Sequence, residues 1–173
     1  TRLAYVRTGA PAIDATSKAG LEGLSLVLLQ RTAIEPGPPL GVDLEADELA
    51  FFPLLYWPIA AEQPAPSEAA LRRLNAYLKN GGAILFDTRD QNASALGGGP
   101  GAERLRTLVR GLDIPPLVPV PPNHVLTKSF YLMQDFPGRW AGGTLWVDES
   151  ADHINDGVSS VIIGGNDWAS AWA

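Results

Sequence analysis

The chain has 173 residues, 46% hydrophobic and 18% charged, a composition that suits one globular domain and excludes collagen, coiled coil and wholesale disorder. The formal net charge of −6 argues against nucleic acid or an anionic membrane as the main partner. Cysteine is absent, which excludes disulfides, thiolate zinc sites and a cysteine nucleophile, while 18 Gly and 15 Pro indicate abundant loops.

The first part of the chain alternates predicted strands and helices. A short apolar strand is predicted over 3–6, and an amphipathic helix over 11–31. Alternating apolar residues predict a short edge strand around 42–44. The most apolar run, 49–57, predicts a core strand. Pro53 should mark its end or a bulge, because proline cannot donate to a strand ladder.

The clearest helix signal starts at Ser67, a good N-cap residue, and stops at Asn80-Gly81-Gly82. The apolar run that follows, 83–86, is typical of a fully buried parallel strand. Strand–helix alternation therefore predicts an α/β fold with an open, mostly parallel sheet and helices on both faces. Further predicted elements are a glycine-rich loop over 91–101, a helix over 103–110, an extended segment over 117–122, and strands over 130–132, 144–147 and 160–163.

Polar side chains follow several of the predicted strands. Ligands of parallel α/β sheets bind beyond the carboxyl ends of the strands, so we expect these residues to line a ligand site. No cofactor and no metal ligands are predicted. The candidate ligand-binding residues are Thr8, Tyr56, Asp87, Thr88, Arg89, Asn166 and Asp167.

The most informative segment is Asp87-Thr88-Arg89-Asp90, which comes directly after a buried strand. Two carboxylates and a guanidinium this close together suit an ion or a polar ligand, and they tune one another's ionisation. The alternative is structural: Asp87 caps a turn and Asp90 pairs with Arg89, as carboxylates at strand ends often do.

His124 is a candidate general base, ligand or structural hydrogen-bond donor. Together with Asp87 and Asp90 it forms the candidate catalytic set of a hydrolase or isomerase, with or without a bound divalent metal. That hypothesis requires the three side chains to converge within hydrogen-bond reach.

Two features of the last third have both structural and functional interpretations. His153 lies among acidic residues in 149–156, a pattern that fits a solvated acidic loop better than a carboxylate–histidine metal site. Four tryptophans, at 140, 146, 168 and 172, indicate either aromatic packing or a surface for stacking sugars or peptides.

Three blocks carry a resemblance to a known family: 77–87 (Tyr-Leu-Lys-Asn-Gly-Gly-Ala-Ile-Leu-Phe-Asp), 123–131 (Asn-His-Val-Leu-Thr-Lys-Ser-Phe-Tyr) and 166–172 (Asn-Asp-Trp-Ala-Ser-Ala-Trp). The chain resembles the bacterial family called domain of unknown function 4159, within the class I glutamine-amidotransferase-like superfamily. The resemblance implies one domain over 1–173 with a three-layer, mostly parallel, flavodoxin-like sheet. Such domains often end long, membrane-anchored proteins, so we expect this chain to be a fragment of one.

The departure from the superfamily lies just after Phe86, where a working glutaminase carries a cysteine and this chain has Asp87 and Thr88. A carboxylate is a poor acyl acceptor and repels a developing oxyanion. The resemblance therefore implies the fold without glutaminase activity. We expect a module of a bacterial envelope protein that binds a small polar ligand or a partner domain, with no nucleic acid partner and no direct membrane insertion. The hydrolase or isomerase is the alternative.

Overall fold

The computed structural model describes residues 1–90, 98–128, 133, 135–149 and 158–173. Within this part of the chain, helices and strands alternate. The strands are β1 (Arg2–Val6), β2 (Gly37–Val42), β3 (Leu54–Pro58), β4 (Ala83–Asp87), β5 (Leu117–Pro119), β6 (Trp146–Asp148) and β7 (Val161–Gly164). The helices are α1 (Pro11–Arg31), α2 (Glu68–Lys79), α3 (Pro100–Leu108), α4 (Val125–Lys128) and α5 (Trp168–Trp172).

The strands form one seven-stranded sheet in the order β2-β1-β3-β4-β7-β6-β5. Neighbours from β2 to β7 pair in parallel, whereas β6 pairs antiparallel with both β7 and β5. The predicted α/β class with a mostly parallel sheet is confirmed. Because β1, β3, β4 and β7 run the same way, their last residues lie along one side of the sheet, which we call the carboxyl edge.

Residues of the central strands alternate between two hydrophobic clusters, as the two-residue period of a strand requires. In β1, Leu3 and Tyr5 belong to the cluster that contains Leu21 of α1 and Ala169 of α5. Their neighbours in β1 belong to a larger cluster with buried residues of α2 and α3. The helices thus cover apolar side chains that point in opposite directions from the sheet.

Local signals placed α1, α2 and β4 correctly. Pro11 begins α1, where its missing N–H costs nothing. The Ser67 hydroxyl accepts a hydrogen bond from the Ala70 N–H at the start of α2, so the predicted N-cap is confirmed. Gly81, with φ of 90°, adopts the left-handed conformation just past the end of α2.

The two strands near prolines differ from their predictions. The edge strand β2 covers Gly37–Val42 rather than the residues around 42–44, because 37–42 pairs with β1. Prolines are tolerated on an edge strand. The apolar run 49–57 is only partly strand: β3 starts after Pro53, and the preceding turn still buries Leu49 and Phe52 in the core.

Smaller shifts occur in the second half of the chain. Helix α3 covers Pro100–Leu108 instead of 103–110, because Pro100 takes the first helical position. The extended segment 117–122 contributes only β5, and the strands predicted over 144–147 and 160–163 are β6 and β7. The strand predicted over 130–132 lies outside the described residues. None of the described helices has the length and apolarity needed to cross a membrane.

Helix α5 packs closely against α1 at two glycines. A Cβ added at Gly20 would lie 2.7 Å from the Ala169 Cα, and one at Gly23 would overlap the backbone of Trp172. The backbones of the two helices therefore approach to a distance that only glycine permits.

We predict that Gly20→Ala destabilises the protein by about 1–3 kcal/mol, because the methyl group forces α5 away from α1. Helix propensity alone predicts the opposite sign, a gain of up to about 1 kcal/mol. Urea denaturation measures the difference. Gln30→Ala, on an exposed part of the same helix, is the control and should change stability by less than about 0.5 kcal/mol. A stabilising Gly20→Ala would contradict the close contact.

Candidate functional site

Asp87 ends β4 at the carboxyl edge, and its side chain is fully buried. The carboxylate accepts four hydrogen bonds. The Tyr56 hydroxyl and the Trp168 N–H both donate to Oδ2 at 2.8 Å. The N–H groups of Arg89 and Asp167 donate to Oδ1 at 3.1 and 3.2 Å. One carboxylate thus connects β3, the turn after β4 and the start of α5.

These contacts make Asp87 the cap of α5. The residue at the N-cap position of that helix, Asp167, has φ of 52°, and its own side chain makes no capping hydrogen bond. The N–H groups at a helix start need acceptors, and Asp87 supplies them from the neighbouring strand. The structural alternative from the sequence was that Asp87 caps a turn. The structure shows this role and a second one, because Asp87 also caps the start of α5.

Burial raises the pKa of the Asp87 carboxyl to about 6, and the hydrogen bonds from Tyr56 and the three backbone N–H groups oppose that rise. Burial and the neighbouring Asp87 charge raise the pKa of Tyr56 as well. At neutral pH Asp87 is a carboxylate that only accepts hydrogen bonds, as its four donors require.

Asp167 forms a second cluster, directly beside the first. Its carboxylate is nearly fully buried. It contacts Arg89 Nε at 3.4 Å and Arg139 Nη1 at 3.7 Å. The Ser170 hydroxyl donates to it at 2.7 Å. Arg89 therefore pairs with Asp167, not with Asp90 as the structural alternative expected.

Thr88 and Asp90 connect the turn after β4 to β7 and α3. The Thr88 N–H donates to the Gly164 carbonyl at 2.8 Å, and its hydroxyl donates to Asp90 Oδ1 at 2.5 Å. The other Asp90 oxygen accepts the Ala102 N–H at 3.1 Å, in the first turn of α3. Asp90 thus provides an acceptor where Gly99, the N-cap residue of α3, has no side chain to offer.

Asn166 holds the loop 136–142 rather than facing outward. Its Nδ2 donates to the carbonyl oxygens of Phe136, Gly142 and Trp140 at 2.8, 3.0 and 3.3 Å. The Trp168 indole N–H donates to the Phe136 carbonyl at 3.1 Å. The loop that carries Arg139 is therefore fixed by hydrogen bonds from the start of α5.

Thr8 lies just beyond the carboxyl end of β1, and its side chain hydrogen-bonds to residues at the start of α1. Its hydroxyl donates to Asp14 Oδ1 at 2.8 Å and accepts the Ala10 N–H at 3.1 Å. The structure thus connects Tyr56, Asp87, Arg89 and Asp167 directly, whereas Thr8 has partners of its own.

His124 lies at the other end of the sheet. Its Nε2 is 3.0 Å from the Ser159 hydroxyl oxygen, and Ser159 precedes the first residue of β7. Asp87 is in register with Gly164, the last residue of β7. The length of β7, roughly 10 Å at the rise of an extended strand, therefore lies between them. The structure does not bring His124 together with Asp87 and Asp90, so the convergence expected of a catalytic set is not observed.

The His124 contacts define a structural role. Nδ1 accepts the Leu126 N–H at 3.2 Å, so the neutral ring carries its proton on Nε2 and donates it to Ser159. The Ser159 hydroxyl in turn faces the Asp148 carbonyl at 3.4 Å. Burial lowers the pKa of His124, and the Asp148 charge opposes that shift. This chain of donors attaches the segment before α4 to β6.

The remaining candidates from the sequence are the acidic segment around His153 and the four tryptophans. His153 and its neighbours 150–157 lie outside the described residues, and the described part of the chain holds no group of three potential metal ligands. Trp168 is buried, while Trp172 packs on the Tyr56 ring with centroids 6.0 Å apart. Trp140 lies under the Arg139 guanidinium, and Trp146 is partly exposed on β6.

A cleft of about 340 Å³ lies at the opposite side of the sheet, at the amino ends of β3 and β4. It is lined by residues that include Pro53, Arg73, Tyr77 and Gly82. None of the predicted site residues lines it. We place the candidate site at the carboxyl edge, because the predicted site residues Asp87, Arg89 and Asp167 contact one another there.

Arg139 and Ser170 were missed by the sequence analysis. Neither follows a strand directly, and Arg139 reaches Asp167 from a loop that Asn166 and Trp168 hold by hydrogen bonds. The adjacent Arg139-Trp140 pair, which forms a cation–π contact at 5.4 Å, was the one local signal available.

The fold and the site together define an α/β domain with a mostly parallel sheet and an aspartate–arginine cluster at its carboxyl edge. The chain belongs to the family described as domain of unknown function DUF4159, whose sequence profile it matches over residues 2–173. A comparison with curated proteins found no match.

We predict that Asp87→Asn lowers the free energy of unfolding by about 1–3 kcal/mol, because its amide NH₂ leaves a buried N–H at Trp168 or Asp167 without an acceptor. Chemical denaturation measures the loss. Asp113→Asn is the matched control, since Asp113 is exposed and its carboxylate pairs only with Lys79 among the contacts described. Equal stability of Asp87→Asn and the wild type would contradict the capping role.

The stability of the protein should also depend on pH through the Asp87 carboxyl group. Since its pKa is about 6 in the folded protein and 3.8 ordinarily, the folded state holds a proton that the unfolded chain releases. The stabilisation that comes from binding this proton is fully present below pH 3.8 and is lost as pH rises through about 6. We expect the stability advantage of the wild type over Asp87→Asn to grow from pH 7 to pH 4. An advantage that shrinks on acidification would be the contrary result.

Proposed function

We propose that this chain is a binding module on a three-layer, flavodoxin-like scaffold of the class I glutamine-amidotransferase type, without glutaminase activity. The site that receives a small polar ligand or a partner domain is the carboxyl edge, at residues 87–90 and 166–170. The two alternating hydrophobic clusters and the parallel order of β1, β3, β4 and β7 support the scaffold.

One observation carries the non-enzymatic assignment: Asp87, at the position of the superfamily's nucleophile, is fully buried and accepts four hydrogen bonds. A nucleophile or general base must reach the substrate, and this carboxylate faces inward to Tyr56 and the α5 start. The absence of cysteine from the whole chain agrees with this assignment.

The catalytic alternative requires His124 beside Asp87 and Asp90, and its place at the amino end of β7 gives that alternative no support. We further propose that the module works as part of a bacterial envelope protein, as the family resemblance implies. Nothing in the binding proposal depends on that location.

The proposal predicts binding without turnover. Isotope-labelled protein titrated with a panel of sugars, nucleotides and amino acids should show amide shift changes at 88–90 and 166–170. Incubation with glutamine should release no ammonia above the background without protein. Steady ammonia release that is lost in Asp87→Asn would overturn the proposal, and so would shift changes confined to other surfaces for every compound of the panel.

A further inference from the structure

Two guanidinium groups meet at the carboxyl edge over a single buried carboxylate. The side chain of Asp167 is 2% exposed, whereas those of Arg89 and Arg139 are 28% and 63% exposed. Each arginine is thus anchored at Asp167 and extends from there toward solvent.

The two arginines are the accessible charges of this cluster. Arginine is always protonated in proteins, whereas the carboxylates of Asp87 and Asp167, which offset the two positive charges, are both buried. Each contact joins one nitrogen to one oxygen, at 3.4 and 3.7 Å, so neither pair has the two-bond geometry that an arginine and a carboxylate often adopt. The exposed charge around Asp167 is therefore positive, on a protein whose formal net charge is −6.

Both arginines are held in place before any ligand arrives. The backbone of Arg89 has φ of 57°, a left-handed conformation that costs a non-glycine residue energy, and its N–H donates to Asp87. The Arg139 guanidinium lies 5.4 Å from the centre of the Trp140 ring, in a loop fixed by Asn166. Less conformational entropy is therefore lost on binding than for two free surface arginines.

From this geometry we propose that Arg89 and Arg139 bind the anionic group, a carboxylate or a phosphate, of the module's ligand. Guanidinium groups recognise both through paired N–H donors, and Asp167 holds one nitrogen of Arg89 at Oδ1 and one nitrogen of Arg139 at Oδ2. The inference rests on the proposed binding function and adds the chemical class of its ligand.

The test uses inorganic phosphate and succinate as probes, in separate titrations at constant ionic strength maintained with sodium chloride. Binding is followed by the amide shifts of the isotope-labelled chain. We expect saturable shifts at 88–90 and 138–140 with at least one probe. Phosphate alone as the active probe identifies a phosphoryl group, and succinate alone identifies a carboxylate. Both outcomes support the anion site.

Arg139→Gln is the first variant, because Arg139 is largely exposed and its removal leaves Arg89 with Asp167. We expect the dissociation constant to rise about tenfold, which corresponds to about 1.4 kcal/mol for a lost charge-assisted contact. Arg72→Gln removes the same charge from an exposed position on α2 and should leave binding unchanged. Arg89→Lys keeps the charge and loses the planar fork, so it should also weaken binding. Unchanged amide shifts of the β1 residues verify that this variant is folded.

Equal binding by the wild type and Arg139→Gln would overturn the anion site, and so would equal weakening in Arg72→Gln. If neither probe binds while an uncharged compound of the panel shifts 88–90 and 166–170, the anion inference fails and the binding function stands. If no compound of either set shifts these residues, both fail.

Discussion

The carboxyl edge depends on one buried carboxylate. Asp87 accepts hydrogen bonds from residues 31 positions before it and 80 and 81 positions after it, as well as from its own turn. An unsatisfied carboxylate in this environment is strongly unfavourable, so every one of these donors is fixed in relation to the others. This constraint fixes the backbone conformation at 88–89 and at 167–168. That conformation directs the Arg89 side chain outward and the Asp167 carboxylate inward.

The burial of Asp87 also limits which charged groups at this edge are accessible to a ligand. Because this carboxylate accepts four hydrogen bonds and faces the interior, we propose a structural role for it and no direct contact with a ligand. Asp90 is engaged at the start of α3 and Asp167 is covered by Arg89, Arg139 and Ser170. At 87–90 and 166–170, Asp87 and Asp167 are thus buried acceptors and Asp90 is half-buried, whereas Arg89 and Arg139 extend to the solvent.

Local signals were enough for α1, α2 and β4, because an N-terminal proline, a serine cap and an apolar run followed by Asp87 act through neighbouring residues. The start of β3 after Pro53 and the position of β2 depend on strand pairing, which no short segment encodes. In the candidate site, Asp87, Arg89 and Asp167 could be predicted because they follow strands. The role of Arg139 could not, since it depends on a loop held from a distance by Asn166. The separation of His124 from Asp87 depends on the contact of His124 with Ser159, which precedes β7, and the antiparallel direction of β6 places Asp148 at the same end.

The close contact of α5 with Gly20 and Gly23 bears on the order of folding. Helix α5 and the two N–H groups that it presents to Asp87 lie about 80 residues beyond β4 in the chain, and β4 pairs with β7 across a similar separation. Pairing between segments so distant in sequence closes slowly, because a long loop must be ordered first. During synthesis the earlier strands and helices emerge while Asp87 still lacks half of its partners. Asp87 therefore has all four of its hydrogen bonds only once α5 has docked against the α1 glycines.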